Sequence, residues 1–440
     1  MHHTTQRTGR RLLAGVAFAG VTAVALAGCS GSGAGDPDDA AAEGGKLTVW
    51  AWDPTVEDIA AAYEEANDGV EIEVVNAGTG NDQYTALQNA ITAGSGGPDL
   101  AQVEYYAVPQ FAISESLADL TEFGADESAD LFAPGPWGSV TYGGNGVWGL
   151  PLDSGPMALF YNKAVFDEHG IEAPTTWDEY LEAARTLHEA DPDLYITNDT
   201  GDAGFATSLI WQAGGQPFAS DGTDVTIDLA DDGSAQFADY WQQLLDDDLV
   251  APISSWSDEW FQGLNDGSIA SLTIGAWMPG NLVSGAPEAS GDWRVAPMPQ
   301  WEEGGTATAE NGGSAMSVME ASENKALAYD FLEFASSGDG VQLRIDGGGF
   351  PSTVADLQSD EFLNKEFEYF GGQKANEVLS ESSANVVEGW QYLPYQVYAN
   401  SVFNDSVGAA YNGSGTVADG LSSWQSTLVD YGNDQGFTVE

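Results

Sequence analysis

One cysteine, Cys29, stands in the 440 residues of this chain. A lone thiol forms no disulfide within the chain and supplies too few ligands for a zinc or iron–sulfur site. Cations are scarce too: 11 Lys and Arg face 69 Asp and Glu, a formal charge of −58. Nucleic acid and anionic ligands are poor partners for such a surface. Histidine is nearly missing, with His169 and His188 in the polar contexts VFDEHG and RTLHEAD and two more at the start of the chain. That scarcity argues against a Ser–His or Cys–His nucleophile and against a histidine-ligated metal. No aspartate-rich loop at calcium-ligand spacing takes their place. Neither metal nor cofactor is expected, and any catalysis would have to run on carboxylates. Beyond residue 28 no apolar run reaches the roughly 18 residues of a membrane span.

The cysteine closes the one long apolar run. Arg7, Arg10 and Arg11 precede about 17 apolar or small residues, Leu12 to Gly28, the order of an export signal. Leu26-Ala27-Gly28-Cys29 resembles the bacterial lipobox. The resemblance implies a lipoprotein signal peptide over 1–28, acylation of Cys29, palmitate included, and attachment to the extracellular face of the cell membrane. An ordinary secretory signal is the alternative. Ser30 to Gly45, SGSGAGDPDDAAAEGG, holds nothing to bury, so residues 29–45 read as a flexible tether. The remaining body is longer than one core normally holds, so two lobes are expected.

Strands alternate with helices along that body. Lys46–Trp52 lacks helical period and reads as a strand, whereas Ile59, Ala62, Tyr63 and Ala66 recur on one helix face. Val70–Val75 alternates like a strand, Tyr84–Ala93 returns to helix, and Asp99–Val103 is strand again. Such β–α units predict mostly parallel sheets flanked by helices. Helices are also expected over 177–190, 235–247, 325–335 and 417–431, and buried strands over 269–274 and 316–319. Ligands of parallel sheets sit at the carboxyl ends of the strands. That rule singles out Trp52 and Asp53 after the first strand, and Glu104, Tyr105 and Tyr106 after the third.

Fourteen tryptophans are many. Trp50, Trp241 and Trp424 lie in periodic runs and belong to the core. Trp211, Trp256, Trp260, Trp277 and Trp390 lie in polar, glycine-rich surroundings, where packing alone explains them poorly. A ligand that wants flat apolar faces beside carboxylates and amides, with few cations, is a sugar. Its C–H faces stack on indole and phenol while its hydroxyls donate to Asp and Glu. The set favours an oligosaccharide, each ring using its own platform. Asp153, between Leu152 and Ser154 in a glycine- and proline-rich stretch, is a candidate hydroxyl acceptor. Tryptophans beside paired acids would also suit a carboxylate-based cell-surface glycosidase, and an adhesive lipoprotein is a third class.

Two stretches, GLPLDSGPMALFYNKAVFDEHGIEAPTTWDEY (149–180) and NDGSIASLTIGAW (265–277), resemble the extracellular solute-binding proteins, family 1. GGSAMSVMEASENKALAYDFLEFA (312–335) and GGPDL (96–100) carry the same likeness. It implies the type II periplasmic-binding-protein fold: two α/β lobes, each a mostly parallel sheet with helices, joined by crossovers near 152–156, 309–312 and 387–390. The implied lobes are 46–152 with 312–388, and 153–311 with 389–440. A sugar would bind in the cleft between them, against Glu104, Tyr105 and Tyr106 on one wall, Trp277 as a stacking residue, and Asn311 and Trp390 where crossovers meet the cleft. The implied partners are an oligosaccharide and the permease subunits of an ABC importer, the protein acting as a monomer on intact sugar.

Overall fold

The computed structural model describes residues 44–142 and 146–440; the expected signal, Cys29 and nearly all of the tether lie outside them. β1 (Gly45–Trp50) buries Leu47 and Val49 by simple alternation, and pairs in parallel with β2 (Val70–Val75) on one side and β3 (Leu100–Glu104) on the other. Helix α1 (Thr55–Ala66) covers this sheet through Val56, Ile59, Ala60 and Tyr63, and α2 (Asn81–Ala93) through Tyr84 and Leu87. Two apolar residues of the expected α1 face, Ala62 and Ala66, stay partly or fully exposed. Two later strands, β4 (Leu150–Pro151) and β10 (Ser314–Val318), complete the sheet in the order β2-β1-β3-β10-β4, with β10 antiparallel to both neighbours. Trp50 is half-buried and packs against this lobe's core.

The second sheet is built differently from the expectation. Its central strand β5 (Met157–Asn162) is flanked by β8 (Ser271–Gly275) and β9 (Trp293–Ala296), and both pairings are antiparallel. A run buried on both faces carries no record of its neighbours' direction, so apolar content alone could not reveal it. Two short parallel strands, β6 (Thr197–Asn198) and β7 (Val250–Ala251), lie beside it. Helix α4 (Trp177–Ala190) begins at a capping box, Thr176 accepting from the Glu179 N–H and Glu179 reaching back. The large core of this lobe takes Trp177, Trp241 and Trp424, the last from α11 (Val417–Gln435), whose Val417, Leu421 and Leu428 share the buried face.

Two passages between the lobes run side by side. The Leu152 and Asp153 N–H groups donate to Ser314 O (2.9 and 3.3 Å), the Asn311 N–H to Gly155 O (2.8 Å), and the Met157 N–H to Ala309 O (2.9 Å). A Cβ on Gly155 would stand 2.4 Å from Asn311 O, so the close approach requires glycine. The third passage differs from the expected 387–390. Helices α7 (Lys325–Ser336) and α8 (Gly340–Asp346) pack with the first sheet and α1, then the chain passes Ser352, whose carbonyl accepts from Ala133 N–H and whose hydroxyl donates to Pro151 O. Beyond it, residues 368–370 and α9 (Ala375–Ala384) pack against β5 and β9 of the second sheet, so residues 368–384 have left the first lobe before 388. Residues 385–387 already pair with Thr308, and the Val387 carbonyl accepts the Trp211 indole N–H. Among the described residues no helix is long and apolar enough to cross a membrane.

Candidate functional site

The carboxyl end of β3 and the loops of the second lobe face a common cavity of about 550 Å³, within the size range of small-ligand sites. The first lobe contributes Thr79, Glu104 and Tyr106; the second contributes three indoles, Trp256, Trp260 and Trp277, with Asn198, Asp199, Asp202 and Thr273. Asn311 and Gly312 of the second crossover form part of the wall, and so does Asn400 of α10 (Gln396–Ser401).

The indoles are held from behind. Trp260 is buried on its helix and donates Nε1 to Asn198 Oδ1 (2.6 Å). Trp277 follows β8 directly and donates Nε1 to the Asn311 carbonyl (2.7 Å), which ties a cleft residue to the crossover. Asn311 in turn donates Nδ2 to Ser208 Oγ (3.2 Å). Trp256 lies 5.1 Å from Trp260 and 5.6 Å from Trp277 by ring centroid, is 52% exposed, and sits at φ 70°, a backbone region that side chains other than glycine seldom occupy. A large exposed apolar ring thus stands on strained backbone at the rim of the cavity.

The polar groups are all of one sign or neutral. Glu104 Oε2 accepts the Tyr84 hydroxyl (2.9 Å), and that hydroxyl accepts the Glu104 N–H (2.9 Å). Burial raises the Glu104 proton affinity; hydrogen bonds from Tyr106 and Tyr84 oppose this, and the charges of Asp153 and Asp202 add to it. Asp199 is held by a turn, Oδ1 accepting from the Gly201 and Asp202 N–H groups (2.8 and 3.2 Å), and burial pushes its carboxyl up to about 6. Asp202 caps α5 (Ala203–Gln212), accepting from Phe205 N–H (2.7 Å).

Of the residues singled out in the sequence, Glu104, Tyr106, Trp256, Trp277 and Asn311 meet in this cavity. Tyr105, Trp211 and Trp390 instead line a small void of about 30 Å³ that adjoins the cavity, sharing Tyr106, Gly204, Gly312 and Asn400 with it. There Trp211 and Trp390 stack on each other (5.1 Å, 7°), and Tyr105 donates its hydroxyl to the Asp153 carbonyl (2.6 Å). Three candidates are committed elsewhere. Asp53 caps Thr55 (2.8 Å) and forms a buried ion pair with Arg344. The Trp52 and Asp53 N–H groups donate to Gln102 Oε1 (both 3.1 Å), and Trp52 lies outside the cavity wall. Asp153 Oδ1 accepts the Ser314 hydroxyl (2.9 Å) and N–H (2.5 Å), which braces the crossover, and Asp153 lies outside the wall of this cavity. The sequence reading missed Asn198, Asp199, Asp202 and Thr273. A polar NDTGD turn directly after a buried strand was the available signal for the first three.

A larger hollow of about 650 Å³ opens at the far end of the first sheet, between 94–99 and 319–324. It carries no aromatic platform and no residue of the second lobe, so it lacks the features of the cleft.

Comparison with known proteins agrees with this geometry. The family described as bacterial extracellular solute-binding protein matches residues 51–342. The ABC transporter-associated binding protein of B. animalis subsp. lactis, solved in complex with β-1,6-galactobiose, is 48% identical, with a TM-score of 0.81 over 90% of this chain and 99% of that one. The galacto-N-biose/lacto-N-biose I-binding protein of Bifidobacterium longum, solved with lacto-N-biose, is 28% identical, with a TM-score of 0.79 over 90% and 99%. A lactose-binding protein of Rhizobium radiobacter is 27% identical over 384 residues, 82% of this chain and 85% of that protein.

Proposed function

Since the chain belongs to the bacterial extracellular solute-binding protein family, we propose that it captures a short galactose-containing oligosaccharide between its two lobes and delivers it to an ABC-type membrane importer. The observation that carries this reading is the cavity itself: three indoles on one lobe, two of them anchored by their N–H groups, face Glu104 and Tyr106 on the other, with the crossovers forming part of the wall. The relatives solved with galactobiose and lacto-N-biose, and the lactose-binding one, supply the sugar class.

Pyranose rings stack on Trp256 and Trp277 by their C–H faces, and their hydroxyls donate to Glu104 and Asp199 and accept from Asn198 and Asn311. Because Glu104 and the indoles belong to different lobes, a sugar that touches both binds the closed arrangement more tightly and shifts the population toward it. Micromolar capture needs roughly 8 kcal/mol, within reach of two stacked rings and several charge-assisted hydrogen bonds. The lobes are taken as 44–152 with 314–352, and 154–311 with 354–440, closing about the paired crossovers. No bond of the sugar is broken; the protein acts as a monomer, and Cys29, acylated at the lipobox, keeps it at the outer membrane face beside its permease.

Calorimetric titration with neutral galacto-oligosaccharides, followed by chromatography of the sugar, tests the reading. Saturable heat with the sugar recovered intact supports a receptor; new reducing ends would favour a glycosidase. For the anchor, Cys29→Ser should release the protein to the medium, and a membrane-bound variant contradicts acylation there.

A further inference from the structure

The cleft combines aromatic platforms with charge of a single sign. Glu104 of the first lobe and Asp199 and Asp202 of the second line it, and among the described residues no Lys or Arg contributes to its wall. The two walls feel each other, since the Asp202 charge raises the proton affinity of both Glu104 and Tyr106 across the gap. A further group in the same wall is incomplete. Thr273 is 3% exposed and its Oγ1 has no hydrogen-bond partner among the described residues, whereas the Asp199 carboxylate is held by its turn and by the Tyr411 hydroxyl. A buried hydroxyl left open at a ligand cavity is matched by a polar partner.

We propose that this cleft selects its sugar by charge: the ring seated between Glu104 and the Asp199–Asp202 turn is neutral or carries an amine, the amine-bearing sugar binding more tightly, and uronate, sulfated or phosphorylated sugars are rejected. The inference rests on the reading of the cleft as a sugar site and adds the selection rule. A hydroxyl edge donates to the carboxylates and to Thr273, and an ammonium does so while compensating two walls of like charge. A carboxylate there meets those walls with no cation to pair it, in a recess where water screens poorly. The remaining surface carboxylates push in the same direction from afar, but salt screens them beyond a Debye length of about 8 Å at physiological strength and about 3 Å at 1 M. Selection that survives salt therefore belongs to the cleft.

The test is calorimetry on the full chain with three probes: β-1,6-galactobiose, the same disaccharide with the free primary hydroxyl replaced by an amine, and its galacturonate. The amine analogue should bind at least about threefold tighter than the parent and the galacturonate at least about tenfold weaker, with more than half of that span, on a logarithmic scale, retained in about 0.5 M NaCl. Glu104→Gln with Asp202→Asn should shrink the amine-to-uronate ratio at least about fivefold, whereas Glu57→Gln with Asp58→Asn, on the exposed face of α1, should not change it. A galacturonate binding within about twofold of the parent overturns the inference, as does selection abolished by salt or shifted equally by the remote pair. Absence of binding by galactobiose itself sinks the galactoside reading instead, and the two failures are thereby told apart. If the cleft variant does not fold, the salt series on the unaltered protein still decides.

Discussion

Replacing Trp277 by alanine removes the cleft indole that is tied to the second crossover. Its indole borders the cavity, lies 5.6 Å from Trp256, and donates Nε1 to Asn311 O at 2.7 Å, so the substitution removes a platform and a tether together. An aromatic side chain buries 150–250 Å² in full, and a sugar ring covering one face takes about a third of that, roughly 50–80 Å². At about 25 cal/mol per Å² this is worth about 1.2–2 kcal/mol of binding, roughly an eight- to thirtyfold loss of affinity. Loss of the hydrogen bond leaves the Asn311 carbonyl without this donor and costs about 1 kcal/mol of stability. Trp277→Phe separates the two terms, because it keeps a flat face and drops only the N–H. Titration calorimetry with β-1,6-galactobiose, paired with urea denaturation of the empty protein, should show at least about an eightfold affinity loss for alanine and a smaller one for phenylalanine. Affinity within about twofold of the parent for Trp277→Ala would remove the residue from the ligand site and refute the stacking argument.

Arg344→Met leaves the Asp53 carboxylate buried beside Asp153 with no cation, and should cost about 3 kcal/mol in urea denaturation; a loss below about 1 kcal/mol would mean that the pair is solvated. Glu310 is fully buried, accepts from the Gly155 N–H (2.6 Å) and Ser154 hydroxyl (3.0 Å), and burial pushes its carboxyl up from 4.5 to about 7. The folded state thus holds this proton more tightly than the unfolded one, so stability present below pH 4.5 is lost as pH rises toward about 7, by of order 2–3 kcal/mol. Relative to Glu310→Gln, the parent should lose stability across that window; parallel pH profiles of the two proteins would contradict the shift. Gly155→Ala drives a Cβ to 2.4 Å from Asn311 O and must part the crossovers, so melting temperature and sugar affinity should both fall, and a variant unchanged in both would show that the crossovers are slack.

Much of the frame was legible because it is periodic. The helix expected over 177–190 occupies those residues, and 325–335 and 417–431 differ only at their ends. What periodicity does not encode is partner identity. The third passage lies in a glycine-rich turn around 347–353 with no apolar pattern of its own, while 387–390, more aromatic and polar, resembled a crossover and runs beside Thr308 instead. The same limit separates the site residues. Asp53 and Glu104 both follow strand ends facing the cleft, yet the cation that occupies Asp53 comes from Arg344, 291 residues away, and nothing local in WAWDPT announces it. Trp211 and Trp390 share the polar setting of Trp256 and Trp277 but stack on each other, a pairing across lengths of chain that composition cannot show. Asp199 reaches the cavity wall only through the fold of its turn, which the local sequence does not show.

The claim on which the rest depends is reversible capture of an intact neutral galactoside between the lobes. Small-angle scattering of the protein with and without β-1,6-galactobiose, with the sugar chromatographed afterwards, tests it most directly. The account predicts a saturable fall in radius of gyration and full recovery of the disaccharide. An unchanged profile at saturating neutral galactosides, or release of galactose, would contradict it.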